Sequence, residues 1–449
     1  GLAIWSGLSF SKSADAMNVV RRPRKVLPYR SVNENQFLRG AAITLGNENS
    51  DFSLFYSKKM VDGNLNEDSL NQEESFFTAL QISGFHRTEA EVADKNKIEE
   101  QVFGFNVEKN IKGIKMGFTS VQYQYSPQLN RPFRPYQFYE FSGSQLNNTS
   151  FNFQGLIGKA YVFGETAMNG LQLSTLSSIN GVILPLSNQV ELAAIYRYYS
   201  PEYNGIYYGP FREQSRARNE MGLYTGMHIK FREDLNLKLY LDRFRFPWLR
   251  FQTDLPSRGL EYLAELQYKP FRNFQMYGRI KSQIKEQNIP NGETALNTLA
   301  LHNNTHYRFQ FRYKINTTLT TTSRVEYSTY KLDDSTTATG ILLFQDLAFK
   351  PLERPYSFIF RYAMFNVDDY VARIYTYEND VLYSYSIPAY QDQGVRFYGL
   401  MRLKLKRRID LGFRYSQTSF FNRETIGSGN EFIDGNSRSE IKAQLRVKF

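Results

Sequence analysis

The chain has 449 residues, a net charge of +11, 16% aromatic residues and no cysteine. Lack of cysteine excludes a disulfide framework and a thiolate metal site. No run approaches the roughly 18 consecutive apolar residues of a transmembrane helix, and the cation excess favours an anionic partner or surface.

The opening GLAIWSGLSF already reads as strand, with no secretory h-region before it, so a processed or truncated product is expected. A long polar stretch, 12–35, carries RRPRK, in which Arg21, Arg22, Arg24 and Lys25 form a basic block of the kind that binds nucleic acid or lipid phosphates. A tight turn near 48–50 precedes the long stretch 62–98, where Thr88 and Glu91 have capping-box spacing and predict a short helix, either folded over or into whatever lies below it or carried on a surface loop. Tight turns near 111–112, 157–158 and 185–187 flank the polar stretch 127–145. From Val190, VELAAIYRYY alternates apolar and polar residues, and after 200–217 and a turn at 232–234, LNLKLYL places Leu235, Leu237, Leu239 and Leu241 opposite Asn236, Lys238 and Tyr240. The pattern returns in YRFQFRYKI (307–315), in YSFIFRYAM from Tyr356 and twice in MRLKLKRRIDLGFRY (401–415). Between these runs lie turns near 270–272, 315–317, 351–354 and 407–408, and longer connections at 247–256, 286–302, 331–338, 367–393 and 420–436. The chain closes on EIKAQLRVKF, with Ile441, Ala443, Leu445, Val447 and Phe449 on one face and Lys442, Gln444, Arg446 and Lys448 on the other.

Period-two alternation excludes helices for these runs. Short turns alternating with long loops are the signature of a transmembrane antiparallel up-and-down β-barrel of about 20 strands, all-β, with short periplasmic turns and long extracellular loops. A large soluble sandwich or propeller would alternate too. Mid-strand Arg and Lys on the polar faces, Tyr and Phe near strand ends, no blade-length repeat and a terminal strand ending in Phe all point instead to a bacterial outer-membrane barrel. The expected domain is a single barrel over 1–449, with 62–98 as a lid or plug loop. The final strand is the expected signal to the barrel insertion machinery. Outer-membrane lipid and lipopolysaccharide are the expected surroundings, other outer-membrane proteins the expected partners.

Candidate chemistry is sparse. The four histidines include HNNTH, His302 and His306 at i, i+4, which suits a metal only on a helix. TIGSGN lacks the context of a nucleophile elbow, and the acidic VDD (367–369) and ENDV (378–381) stretches read as solvated loop charge or a Ca²⁺ site. No cofactor, catalytic residue or metal site is expected, and the chain reads as a non-enzyme. The lumen-facing cations, by phase, are Arg197, Lys238, Lys281, Arg308, Arg312, Arg361, Arg402, Lys404, Arg414, Lys442 and Arg446, and they outnumber inward acids on the strands that can be phased. Such a lining favours anions. Two functions follow: a conduit for an anionic solute or polymer, or an accessory barrel with a plugged lumen that docks partner proteins.

The stretches SVNENQFLRGAA (31–42), SGFHRTEAEVADKN (83–96), LDRFRFPWLR (241–250), YTYENDVLYSYSIPAY (375–390) and ETIGSGNEFIDGNSRSEIKAQLRVKF (424–449) resemble a family of large Bacteroidota outer-membrane proteins that carry helix-hairpin-helix repeats. The resemblance covers that family's C-terminal barrel, and it implies that periplasmic helix-hairpin-helix repeats and the first strands lie outside this sequence. Nucleic acid as a partner is implied by this likeness alone, and no residue here inherits it.

Overall fold

The computed structural model describes residues 1–4, 9–10, 12–21, 26–29, 35–67, 75–289, 297–333, 335–405 and 408–448. Each alternating run forms a strand, and each strand pairs with its sequence neighbour in antiparallel register. Tyr307 to Lys314 run opposite Tyr327 to Thr320, and Met401 to Leu405 run opposite Phe413 to Ile409. Twenty-one strands belong to one closed barrel. Gly63–Glu67 and Ser75–Leu80 pair with each other beyond the ladder of Ser50–Val61 on Ile98–Ile111, which leaves nineteen in the wall among the described residues.

The connections alternate as the sequence predicts. Short turns follow Gly46, Ile111, Ile157, Pro185, Arg232, Phe271, Lys314, Phe349 and Leu405 at one end. At the other end stand the long loops, including 169–177, which sequence patterning did not mark.

Alternation also sets the faces. Leu445, Phe309 and Leu223 point outward, 65%, 47% and 49% exposed, while Arg197, Asp242 and Tyr398 point inward with 0% exposure. Leu235, Leu239, Phe311, Leu403 and Leu411 share the outward phase of their strands. An apolar belt outside a closed antiparallel barrel is the form in which strands cross a bilayer, because every interior backbone group finds its partner in the wall. The chain is a bacterial outer-membrane β-barrel. No helix is long and apolar enough to cross a membrane.

The ring is completed between Ser437–Val447 and Gly40–Gly46. These are the one pair of wall neighbours that form no run of paired residues among the described residues. All of Gly40–Gly46 is exposed, with Ile43 at 52% and Leu45 at 60%.

The helix in 62–98 forms at Glu89–Ala93. Thr88 Oγ1 accepts from Glu91 N at 3.1 Å, and the Glu91 carboxylate accepts from Arg87 N at 2.8 Å. It buries no residue. A five-residue helix with Glu89 and Glu91 in its first turn and Val92 55% exposed has no apolar face to insert, so the helix itself is not a plug, while Phe77 of the same stretch is buried with Tyr125, Tyr207 and Ile4. Its root is fixed by Asp62, whose carboxylate accepts from Asn96 N at 2.9 Å and meets His86 Nε2 at 2.9 Å.

Candidate functional site: a lumen occupied by its own chain

Other segments fill the lumen. In one half, Leu2, Ala16 and Val19 pack with Phe163, Ile195 and Tyr199 of the wall and with Tyr203 and Phe211 of the loop 200–219, all buried. Tyr203 and Tyr224 hydroxyls donate to the carbonyls of Leu2 and Ala16 at 2.8 and 2.9 Å, pinning the N-terminal segment. In the other half, Ile374, Val381 and Tyr390 from the loop 367–393 pack on Phe365, Leu342 and Tyr398.

Charge is matched with equal care. Arg197, from Val190–Tyr199, donates Nε to Glu220 at 2.5 Å and both Nη atoms to Asp242 at 2.8 and 3.1 Å. All three side chains have 0% exposure. The guanidinium lies flat across Gly222, where any Cβ would collide with it. Lys12, from the N-terminal segment, reaches the same locus: its Nζ lies 2.7 Å from Glu213, 3.0 Å from Asp242 and 3.0 Å from Glu261. These three carboxylates, led by Glu261, outweigh the cost of burial and raise the Lys12 ammonium pKa.

The second locus lies in the stretch ENDV. Glu378 accepts from Arg396 at 2.8 and 2.9 Å, from the Tyr390 hydroxyl at 2.9 Å, and from Arg414. Asp380 accepts from Lys442 at 2.9 Å, and its carbonyl takes Arg402 Nη2 at 2.6 Å. Burial pushes the Glu378 carboxyl up, but the Arg396 hydrogen bonds, the Tyr390 hydroxyl and the Arg414 charge more than reverse this and hold it below the usual range. The expectation of solvated charge or a Ca²⁺ site in ENDV is corrected here. Glu378 and Asp380 are 0% and 2% exposed and are spent on guanidinium and ammonium groups.

The remaining predicted cations follow suit. Arg308 donates to Glu326 at 2.7 and 2.9 Å, Arg361 to Asp346 at 2.5 and 2.7 Å, and Arg446 Nε to Asp410 at 2.8 Å. Lys281 lies 3.4 Å from Glu261 and Lys238 3.4 Å from Asp15. Among the described residues Arg312, Arg402 and Lys404 of the predicted set form no ion pair; Arg312 and Lys404 are exposed near the tight-turn end, and Arg402 donates to the Asp380 carbonyl alone. Most of the expected lumen cations are therefore matched by acids. The acids were missed although three of them, Glu326, Asp346 and Asp410, stand directly opposite Arg308, Arg361 and Arg446 in the ladders.

Of the terminal strand, Ile441, Ala443, Leu445 and Val447 are exposed on the outer face, while Phe449 lies outside the described residues. So do Arg22, Arg24, Lys25 and the side chain of Arg21. His302 stacks on Tyr330 and His306 Nδ1 lies 3.4 Å from Glu326; no cluster of three or more metal-ligating groups occurs among the described residues.

No family model and no curated protein matches the chain. Among solved structures it is similar to the FrpB iron transporter of Neisseria meningitidis, at 8% identity and TM-score 0.44, over 91% of this chain and 72% of that one. An anion-selective porin of Comamonas acidovorans gives 10% identity and TM-score 0.36, over 81% and 99%. The outer membrane channel DcaP of Acinetobacter baumannii gives 12% and 0.35, over 81% and 99%. Likeness this distant carries no function across.

Proposed function

We propose that the chain is a non-catalytic outer-membrane conduit held closed at rest by its own lumen segments. The observation that carries this reading is the seat of Lys12. A cation on a segment separate from the wall is held by three carboxylates, and so by polar contacts that a ligand, a partner or a change of charge can undo. Because most of the predicted inward cations are matched by acids, any preference for an anionic solute or polymer rests on Arg312, Arg402 and Lys404 toward the tight-turn end, and DNA handling has the family resemblance alone behind it. A second reading, an accessory barrel that docks other outer-membrane proteins, is favoured by the apolar packing around Leu2 and Tyr203.

Planar-bilayer recording separates the two. The unaltered protein is expected to be electrically silent, and Lys12→Glu, which sets a fourth carboxylate among the three, is expected to produce openings. Steady current through the unaltered protein refutes closure at rest. Silence of a correctly refolded Lys12→Glu barrel refutes the conduit and leaves the accessory barrel.

A further inference from the structure

At the long-loop end, the loops 129–143, 199–220 and 246–257 converge on a cavity of about 170 Å³ that the lumen contacts do not use. One wall is aromatic. Trp248 stands edge-on to Tyr139 at 5.0 Å, and Tyr136 meets Phe251 at 5.8 Å. The indole is fixed, its Nε1 donating to the Pro135 carbonyl at 3.1 Å and its backbone N to Asn219 at 2.6 Å. The opposite wall is cationic. Arg216 Nη1 and Arg218 Nη2 donate to the two oxygens of Glu140 at 2.8 and 2.6 Å, and Arg131 Nε lies 3.4 Å from the same carboxylate.

Three guanidiniums thus share one carboxylate, in contrast to the matched pairs of the lumen. Each guanidinium carries five N–H donors, and a single carboxylate cannot satisfy three of them. Burial and the mutual repulsion of these guanidiniums lower the Arg218 pKa despite Glu140. The side chain of Arg216 is 45% exposed and that of Arg218 13%, so one donor faces solvent and the other the cavity rim. Planar guanidinium forks match carboxylate and phosphate geometry, while Trp and Tyr faces take the flat C–H face of a sugar ring. The volume admits one ring.

We infer that this cavity binds a monosaccharide-sized unit bearing a carboxylate or phosphate, with the anion on Arg216 and Arg218 and the ring against Trp248 and Phe251. The site faces the long-loop side of the membrane, and the inference is independent of whether the lumen opens.

Trp248 and Trp5 are the two tryptophans of the chain, so a Trp5→Phe background makes Trp248 the sole reporter. Titration of the refolded full chain with glucuronate and with glucose 6-phosphate should shift Trp248 fluorescence saturably, with glucose silent and inorganic phosphate at least about tenfold weaker. Arg216→Gln and Arg218→Gln should each weaken binding about tenfold, the effect of losing one charge-assisted bond. Arg258→Gln, on the exposed rim outside the cavity, should leave it unchanged. Refolding is checked by heat-modifiable gel migration, and Arg216→Lys, which keeps charge without the fork, should bind between the two extremes. An equal response to glucose, or full binding by both Gln variants, overturns the site. Inorganic phosphate binding as tightly as the sugar phosphate overturns the saccharide assignment.

Discussion

Arg197 shows what an inward cation requires. Its three carboxylate contacts replace the water it has lost, and an unpaired buried charge is costly. Arg197→Gln removes the partner of Glu220 and Asp242, and about 3–5 kcal/mol of stability should go with it. Denaturant unfolding in lipid vesicles measures the loss; a change within experimental scatter would mean that water reaches these carboxylates. Glu378 is the pH-sensitive counterpart. Its folded-state pKa is depressed, so its stabilisation is complete above the ordinary glutamate value of about 4.3 and disappears as pH falls through the folded one. Amide protection of 374–390 should therefore match between pH 8 and 6 and collapse in the acid range, whereas Glu378→Gln should show weak protection at every pH. A profile shared by both proteins would show that other contacts hold the loop.

Among elements, strands and tight turns were legible because they obey local rules. The alternation in LNLKLYL or EIKAQLRVKF assigns each side chain a face, and a one-residue slip would reverse all of them. The same phase also gave the inward acids. Glu326, Asp346 and Asp410 alternate on the lumen side of their strands and lie across from Arg308, Arg361 and Arg446, so tallying cations without their cross-strand partners produced the false anion field. Loops were not legible in this way. Glu378 reaches Arg396 and Arg414 on the two wall strands that follow its loop, and no periodicity in ENDV announces that its loop turns inward. In the loop 62–98, capping spacing located a helix correctly but says nothing about where it packs: the helix is exposed, while Phe77 outside it is buried. Deleting the helix alone, 88–94, should leave bilayer conductance unaltered, and a rise in open-channel current would restore it as a lid.

For the whole molecule, the seam between Ser437–Val447 and Gly40–Gly46 sets the pattern of stability. Backbone amides in the interior wall are protected on both sides by ladders such as those of Thr298–Lys314; those of Gly40–Gly46 have a ladder on one side, to Ser50–Val61. Local opening begins where such protection is thinnest. Hydrogen exchange in membranes should label Ala42 and Thr44 well before Tyr307 or Phe309, and simultaneous labelling would show that the seam is zipped as firmly as the rest.

Counting directions rather than contacts explains why the join is thin. Each successive wall strand reverses the last, so the odd set of nineteen among the described residues begins and ends on strands that travel the same way. Single-chain bacterial barrels are built on even numbers, which bring oppositely directed edges together. Here the closing edges offer each other a parallel pairing, with its slanted bonds and somewhat weaker ladder, in a wall whose other joins are all antiparallel.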